Sequence, residues 1–137
     1  MSRDPRPVRE DQLHFLVVRW MTLYVDKRVI WYAVPNGEER RPSVGRKLRN
    51  MGVLPGVADI ALVLLDGRAA FIELKGKKGR QAVEQMVFEQ RCLSLGVPYA
   101  LCRSLEEVEF TLFNWNALKD RHNFGRKDDE LPLANGG

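Results

Sequence analysis

The chain has 137 residues, 45% hydrophobic and 29% charged, with a net charge of +4. That length fits one domain with its own core, and that balance excludes a disordered chain. The longest unbroken apolar run, Ile60 to Leu65, is too short to cross a bilayer, and the opening "MSRDPRPVRED" is not followed by an apolar stretch of the signal-peptide kind.

Taken in order, residues 9–26 read as a helix, with Leu13, Leu16, Val17, Trp20, Leu23 and Tyr24 recurring at helical spacing. "RVIWYAV", 28–34, is β-branched and aromatic, so it reads as a strand that Pro35-Asn36-Gly37 stops. Ser43 is placed to cap a short basic helix ending at Met51, with Gly52 just beyond. Residues 56–78, "GVADIALVLLDGRAAFIELKGKK", form an apolar hairpin with charges at its open end. Gly79 precedes a helix over 80–95, which Gly96 closes. "PYALCR", 98–103, reads as a buried strand. Ser104 and Glu107 have capping-box spacing and start a further helix, with 114–120 able to continue helically. The domain core is expected over about 9–113, and the charged tail, about 121–137, is expected to fray.

This order predicts an α/β fold, a mixed sheet with helices packed on it. The Cys102 strand follows a helical crossover from the Glu73 strand and should lie parallel to it. Cys92 and Cys102 have no metal-ligand spacing and make no disulfide framework, which favours a reduced intracellular compartment.

The charge is uneven. Arg40, Arg41, Arg46, Lys47 and Arg49 fall in one acid-free stretch, and Lys75, Lys77, Lys78 and Arg80 in another. Such a one-sided basic surface suits a polyanion such as nucleic acid, and a solvated face is the alternative. These residues, Lys75 apart, are the candidate phosphate contacts; phosphate contacts give affinity and register without choosing sequence.

Asp59 opens the first arm of the hairpin, and Glu73 and Lys75 share a face near the end of the second. A two-residue loop at Asp66-Gly67 would set Asp59 opposite Leu74 and separate it from Glu73. A three-residue loop, Leu65-Asp66-Gly67, sets it opposite Glu73, with Gly67 in the left-handed position such loops favour. Two carboxylates so close repel unless a cation intervenes, and a hard divalent ion takes oxygen ligands. With a lysine beside them, these parts suit metal-assisted phosphodiester hydrolysis. The alternative is structural: Asp59 caps the loop after Gly56, and Glu73 with Lys75 makes a salt bridge at a strand end.

The wider sequence resembles the PD-(D/E)XK restriction-endonuclease-like core, and within it a stand-alone VRR-NUC domain, the virus-type replication-repair nuclease. The resemblance rests on Glu10 in the first helix, "VPNG" at 34–37, "KLRNMGVLPGVAD" at 47–59, "FIELK" at 71–75, and Gln85 followed by "LGVPYALCRSLEEV". It implies a metal-dependent endonuclease acting on DNA, with Holliday junctions, flaps or other branched forms as substrate, in replication, recombination or repair. Asp59 and Glu73 would ligate Mg²⁺ or Mn²⁺ with the Leu74 backbone carbonyl, and Lys75 would be the catalytic lysine. Glu10, a further candidate metal ligand, and Gln85 would complete the catalytic site from two helices. It also implies a homodimer, no membrane, and the cytoplasm of a bacterial or phage-infected cell. The residue before Asp59 is usually proline in that family and is Ala58 here, which removes stiffness and no ligand.

Read without the resemblance, Glu10 is a first-turn acid favoured by the helix dipole, and Gln85 lies with Gln81 and Glu89 on the flank of an apolar stripe of Ala82, Val83, Met86 and Leu93. Gln90 falls within that stripe, where it would hydrogen-bond in the core. His14 and His122 are isolated and suggest no zinc site, and Trp20, Trp31 and Trp115 read as core. A dimer interface would draw on exposed apolar residues of the first helix or on Phe110–Leu118. Two other readings compete: a non-catalytic nucleic-acid-binding or assembly module that keeps the fold, and a restriction-type endonuclease, for which this length leaves little room.

Overall fold

The computed structural model describes residues 9–35 and 42–119. Its elements are α1 (Glu10–Tyr24), β1 (Ile30–Ala33), α2 (Pro42–Asn50), β2 (Ile60–Val63), β3 (Ala69–Leu74), α3 (Val83–Leu95), β4 (Tyr99–Cys102) and α4 (Leu105–Asn114). The strands form one sheet in the order β1-β2-β3-β4. β1 and β3 each run antiparallel to β2, and β4 runs parallel to β3, as the helical crossover requires. The result is the expected α/β mixed sheet with flanking helices. Among the described residues no helix is long and apolar enough to cross a membrane.

The hairpin sets the register. Leu64 N–H donates to the Arg68 carbonyl at 2.9 Å, and Gly67 N–H to the Leu64 carbonyl at 2.8 Å. The loop therefore has three residues, Leu65 to Gly67, and Gly67 has φ +88°, which favours glycine. Ile60 pairs with Ile72 and Ala61 with Phe71. One step further along the same register, Asp59 stands opposite Glu73.

Alternation sorts the side chains onto two faces. Ile60, Leu62, Ala70, Ile72, Leu74 and Cys102 face a core closed by Leu13, Val17 and Met21 of α1 and Val108 and Leu112 of α4. Each fully buried aliphatic side chain contributes about 1.5–3 kcal/mol. Trp20, Trp31 and Trp115 pack against this core, as expected. The other face carries Asp59, Ala61, Phe71, Glu73 and Tyr99. α3 lies over part of it, with Phe88 edge-on to Phe71 at 4.9 Å and near Tyr99 at 6.2 Å.

Several boundaries differ from the sequence reading. In α1 the buried residues are Leu13, Val17 and Met21, one per turn, while Leu16 and Leu23 are exposed, because that single stripe suffices to cover the sheet. α2 starts at Pro42, so Ser43 lies inside the first turn rather than at the cap; proline's fixed φ suits a first helical position. α3 starts at Val83 instead of near residue 80. The segment after Asn114 is not helical. Asn116 takes φ +60°, its N–H donates to the Phe113 carbonyl at 3.1 Å, and Ala117 N–H donates to the Leu112 carbonyl at 3.0 Å. This is a Schellman stop. It turns buried Ala117 and Leu118 into the core, where Leu118 bridges to Val25. The tail from residue 120 and the "NG" of 36–37 lie outside the described residues.

Candidate active site

Among the described residues the buried charged side chains are Asp59, Glu73 and Lys75, with exposures of 8%, 0% and 7%. They come together because the three-residue loop pairs Asp59 with Glu73 and because Lys75 is two residues beyond Glu73 on the same face. Leu74, named for its carbonyl, contributes its N–H here, which donates to Asp59 Oδ2 at 2.7 Å. Lys75 Nζ lies 3.4 Å from Glu73 Oε2 and 4.0 Å from Glu10 Oε1.

Glu10 reaches the site from the first turn of α1. Leu13 and Val17 dock on the sheet, and residues three and seven positions before them on a helix share their face, so Glu10 is carried toward the strand ends. Gln85 reaches it from the start of α3. Its Oε1 accepts the Ala82 N–H at 2.7 Å, and its Nε2 donates to Glu73 Oε2 at 2.8 Å. One side chain thus caps a helix and orients a buried carboxylate.

Glu73 Oε1 is buried and has no hydrogen-bond partner. Burial, and then the charge of Asp59, push the Glu73 carboxyl up to about 8, with Lys75 opposing. Burial also raises Glu10, again opposed by Lys75. Glu10, Asp59 and Glu73 each offer a carboxylate oxygen, and the three oxygens lie within 4.8 Å of one another. A divalent cation fits this donor set: the ligands are hard oxygens, their mutual repulsion is relieved by positive charge, and the orphaned Glu73 oxygen gains a partner.

No protein-family model and no curated protein matches this sequence. A solved structure described as a VRR_NUC domain protein is similar to it, with a TM-score of 0.56 over 75% of this chain and 84% of that one, at 16% identity. The chain has that nuclease-like fold.

Within the VRR_NUC fold, α3 turns a different side to the sheet than its sequence suggests. Val83 and Met86 are 67% and 45% exposed, and Leu93 is exposed as well. The half-buried side is Gln85, Phe88 and Glu89, with Cys92 buried behind them. Gln90, expected in the core, is exposed. The physical reason lies on β3: the buried Glu73 carboxylate needs a donor from the helix above it, which an apolar face would not supply. Gln81 Nε2 continues this polar side, donating to Glu89 Oε1 and to Tyr99 Oη at 3.1 Å each.

The basic candidates divide. Arg46, Lys47 and Arg49 are exposed on α2, and Lys77, Lys78 and Arg80 are exposed just beyond Lys75. Arg40 and Arg41 lie outside the described residues, as does His122. His14 is half-buried beside Glu10.

Gly56 was not singled out for a role by the sequence reading. Its φ is +84°, and a Cβ there would lie 2.2 Å from the Glu84 carbonyl oxygen and 2.9 Å from the Gln85 nitrogen. Only glycine lets the approach to Asp59 lie directly on the start of α3, which ties the Asp59 segment to Gln85. The glycine just ahead of a strand-opening acid, in "PGVAD", was the available hint.

Proposed function

We propose that this chain is a metal-dependent deoxyribonuclease that hydrolyses phosphodiester bonds internally, with branched DNA as its substrate. The observation that carries the reading is the fully buried Glu73, one oxygen without a partner, facing Asp59 and Glu10 with Lys75 beside it. A buried carboxylate with one unpartnered oxygen, set among other carboxylates, is costly, and the arrangement makes sense as one awaiting a cation. In this reading Asp59, Glu73 and Glu10, with the Leu74 carbonyl, hold Mg²⁺ or Mn²⁺.

The cation supplies Lewis acidity toward a phosphoryl oxygen and makes water a better nucleophile. The chain's own groups do the rest. Gln85 fixes the Glu73 carboxylate so that its free oxygen faces inward. Lys75, held close to Glu73 and Glu10, steadies negative charge on the phosphate or orients the attacking water. Exposed Lys77, Lys78 and Arg80, with α2's Arg46, Lys47 and Arg49, hold the backbone to either side. The branched-DNA assignment rests on the motif resemblance, and cutting two strands of a junction at symmetric places calls for a C₂ homodimer.

The test is a cleavage panel of single strands, flaps, forks and four-way junctions with Mg²⁺, Mn²⁺ or EDTA. Metal-dependent nicking is expected, and Lys75→Ala should lower its rate by about 10²–10⁴-fold. Undiminished nicking by Lys75→Ala would refute the mechanism. A wild-type protein that binds junctions and never cuts them would favour the non-catalytic binding module.

A further inference from the structure

The loop that follows the Lys75 strand is "GKKG", residues 76–79. It has no apolar side chain to anchor it, two adjacent exposed lysines that repel, and two glycines that add backbone freedom. Its own backbone supplies one bond, from Gly79 N–H to the Gly76 carbonyl at 3.1 Å. Among the described residues, one side chain from another element holds it. Arg103 Nη1 donates to the carbonyls of Gly76 at 2.7 Å and Gly79 at 2.8 Å, with a longer contact to that of Lys77 at 3.3 Å.

Arg103 is itself fixed. Leu74 pairs with Cys102, and Lys75 N–H donates to the Cys102 carbonyl at 3.1 Å, so Arg103 follows next to Lys75 in the register. Its N–H donates to Glu107 Oε1 at 2.6 Å, while the Glu107 N–H donates to Ser104 Oγ at 3.1 Å. The cap of α4 therefore pins the backbone from which the guanidinium reaches across.

We propose that Arg103 is a positioning residue for DNA binding: its guanidinium clamps the 76–79 loop in the shape that presents Lys77, Lys78 and Arg80 to backbone phosphates beside the Lys75 end of the site. The proposal rests on the nuclease reading above. Arg103, Lys77 and Lys78 are all exposed, so water screens their mutual repulsion while the guanidinium N–H groups are spent on the loop carbonyls, and the loop lysines stay free for phosphate. All three contacts come from Nη1, whose two N–H bonds are held in the guanidinium plane, whereas a lysine ammonium rotates freely on its stem; arginine therefore suits the clamp where lysine would not.

The experiment compares the wild-type chain with Arg103→Ala and Arg103→Lys. Affinity for a fluorescent four-way junction is measured in EDTA across a salt series, alongside Mg²⁺ cleavage kinetics and exchange of the Gly79 amide. Arg103→Ala should bind about tenfold or more weakly, with a log-affinity slope against log salt shallower by about 2, as expected when two or so phosphate contacts are lost. KM should rise while kcat changes little, because Asp59, Glu73 and Lys75 are held by β2 and β3. Gly79 exchange should quicken while β3 amides keep their protection. Arg103→Lys keeps the charge and loses the fixed N–H directions of Nη1, so it should resemble Arg103→Ala; it also stands in if the alanine variant fails to fold. Full recovery by lysine, or unchanged Gly79 exchange in both variants, would overturn the clamp. A wild-type chain that neither binds nor cuts DNA would instead sink the nuclease reading, and the proposed role with it.

Discussion

The hairpin carries an acid two residues from a base at each end, and the two ends are opposites. At the turn, Asp66 and Arg68 meet at 2.8 Å with both side chains 55% exposed. Hydrogen bonds from the Arg68 backbone and side chain lower the Asp66 carboxyl. At the open end, Glu73 and Lys75 lie 3.4 Å apart with side chains 0% and 9% exposed, and the Glu73 carboxyl is pushed up to about 8. Spacing is identical, so spacing does not decide what the pair does. At the turn, water and one arginine satisfy the acid. At the open end, burial removes the water, two further acids crowd in, and one oxygen is left unpartnered. A surface pair of this kind stabilises little, whereas a buried one is costly unless its remaining valences are filled.

The largest effect should come from Glu73→Gln. On the proposed function it removes a metal ligand, and cleavage should fall by at least about a hundredfold, the scale on which single preorganised groups act. The same change should alter stability in the metal-free protein. Because the folded carboxyl sits near 8 against an ordinary 4.5, the folded state keeps a proton that the unfolded chain has released between those values. The unfolded state then binds fewer protons, so stability must fall as pH rises from about 4.5 to about 8. The loss should be on the order of a few kcal/mol in denaturant titrations. Glu73→Gln should flatten that decline. A wild-type curve level across this window would mean that Glu73 is better solvated than its burial implies.

The two glycines of the hairpin region sharpen the contrast. Gly56 and Gly67 have φ of +84° and +88°. A Cβ at Gly67 meets nothing within 4 Å, while one at Gly56 runs into the Glu84 carbonyl. Gly67→Ala should cost about 1–2 kcal/mol of backbone strain. Gly56→Ala should cost more, about 2–4 kcal/mol, since a backbone clash adds to the strain. It should also lower cleavage, because relief means moving Gln85 off Glu73. Equal thermal shifts for the two variants would show that the Gly56 approach is looser than described.

The smallest effect is expected from Asp66→Asn. An amide oxygen can still accept the Arg68 N–H, which Asp66 Oδ1 does at 3.1 Å. The melting temperature and the nicking rate should both match wild type. A marked loss of nicking would show that the turn does more than set register.

Much of the fold was legible because its causes are local. Gly96 in a left-handed cap with φ +74° and Ser104 accepting the Glu107 N–H are short-range chemistry, and each stands where the residues suggested; at Gly67 the residues allowed a loop of two or of three, and the structure takes three. α3 was misread because its apolar residues outnumber its polar ones on one side, yet the sheet beneath offers a carboxylate. The stop after Asn114 was misread because what ends that helix is the pull of Ala117 and Leu118 toward Val25, far away in sequence.

The amino-acid sequence alone determined the hairpin and made the pairing of Asp59 with Glu73 conditional on a three-residue loop, because strand alternation and turn geometry act over a few residues; the structure supplied that loop. Tertiary structure decided what surrounds that pair. The depth to which Glu73 is buried, the approach of Glu10, the bond from Gln85, the glycine contact at Gly56 and the Arg103 clamp all join elements separated along the chain. Their distances depend on how helices settle on the sheet, and no periodicity within a single element records that.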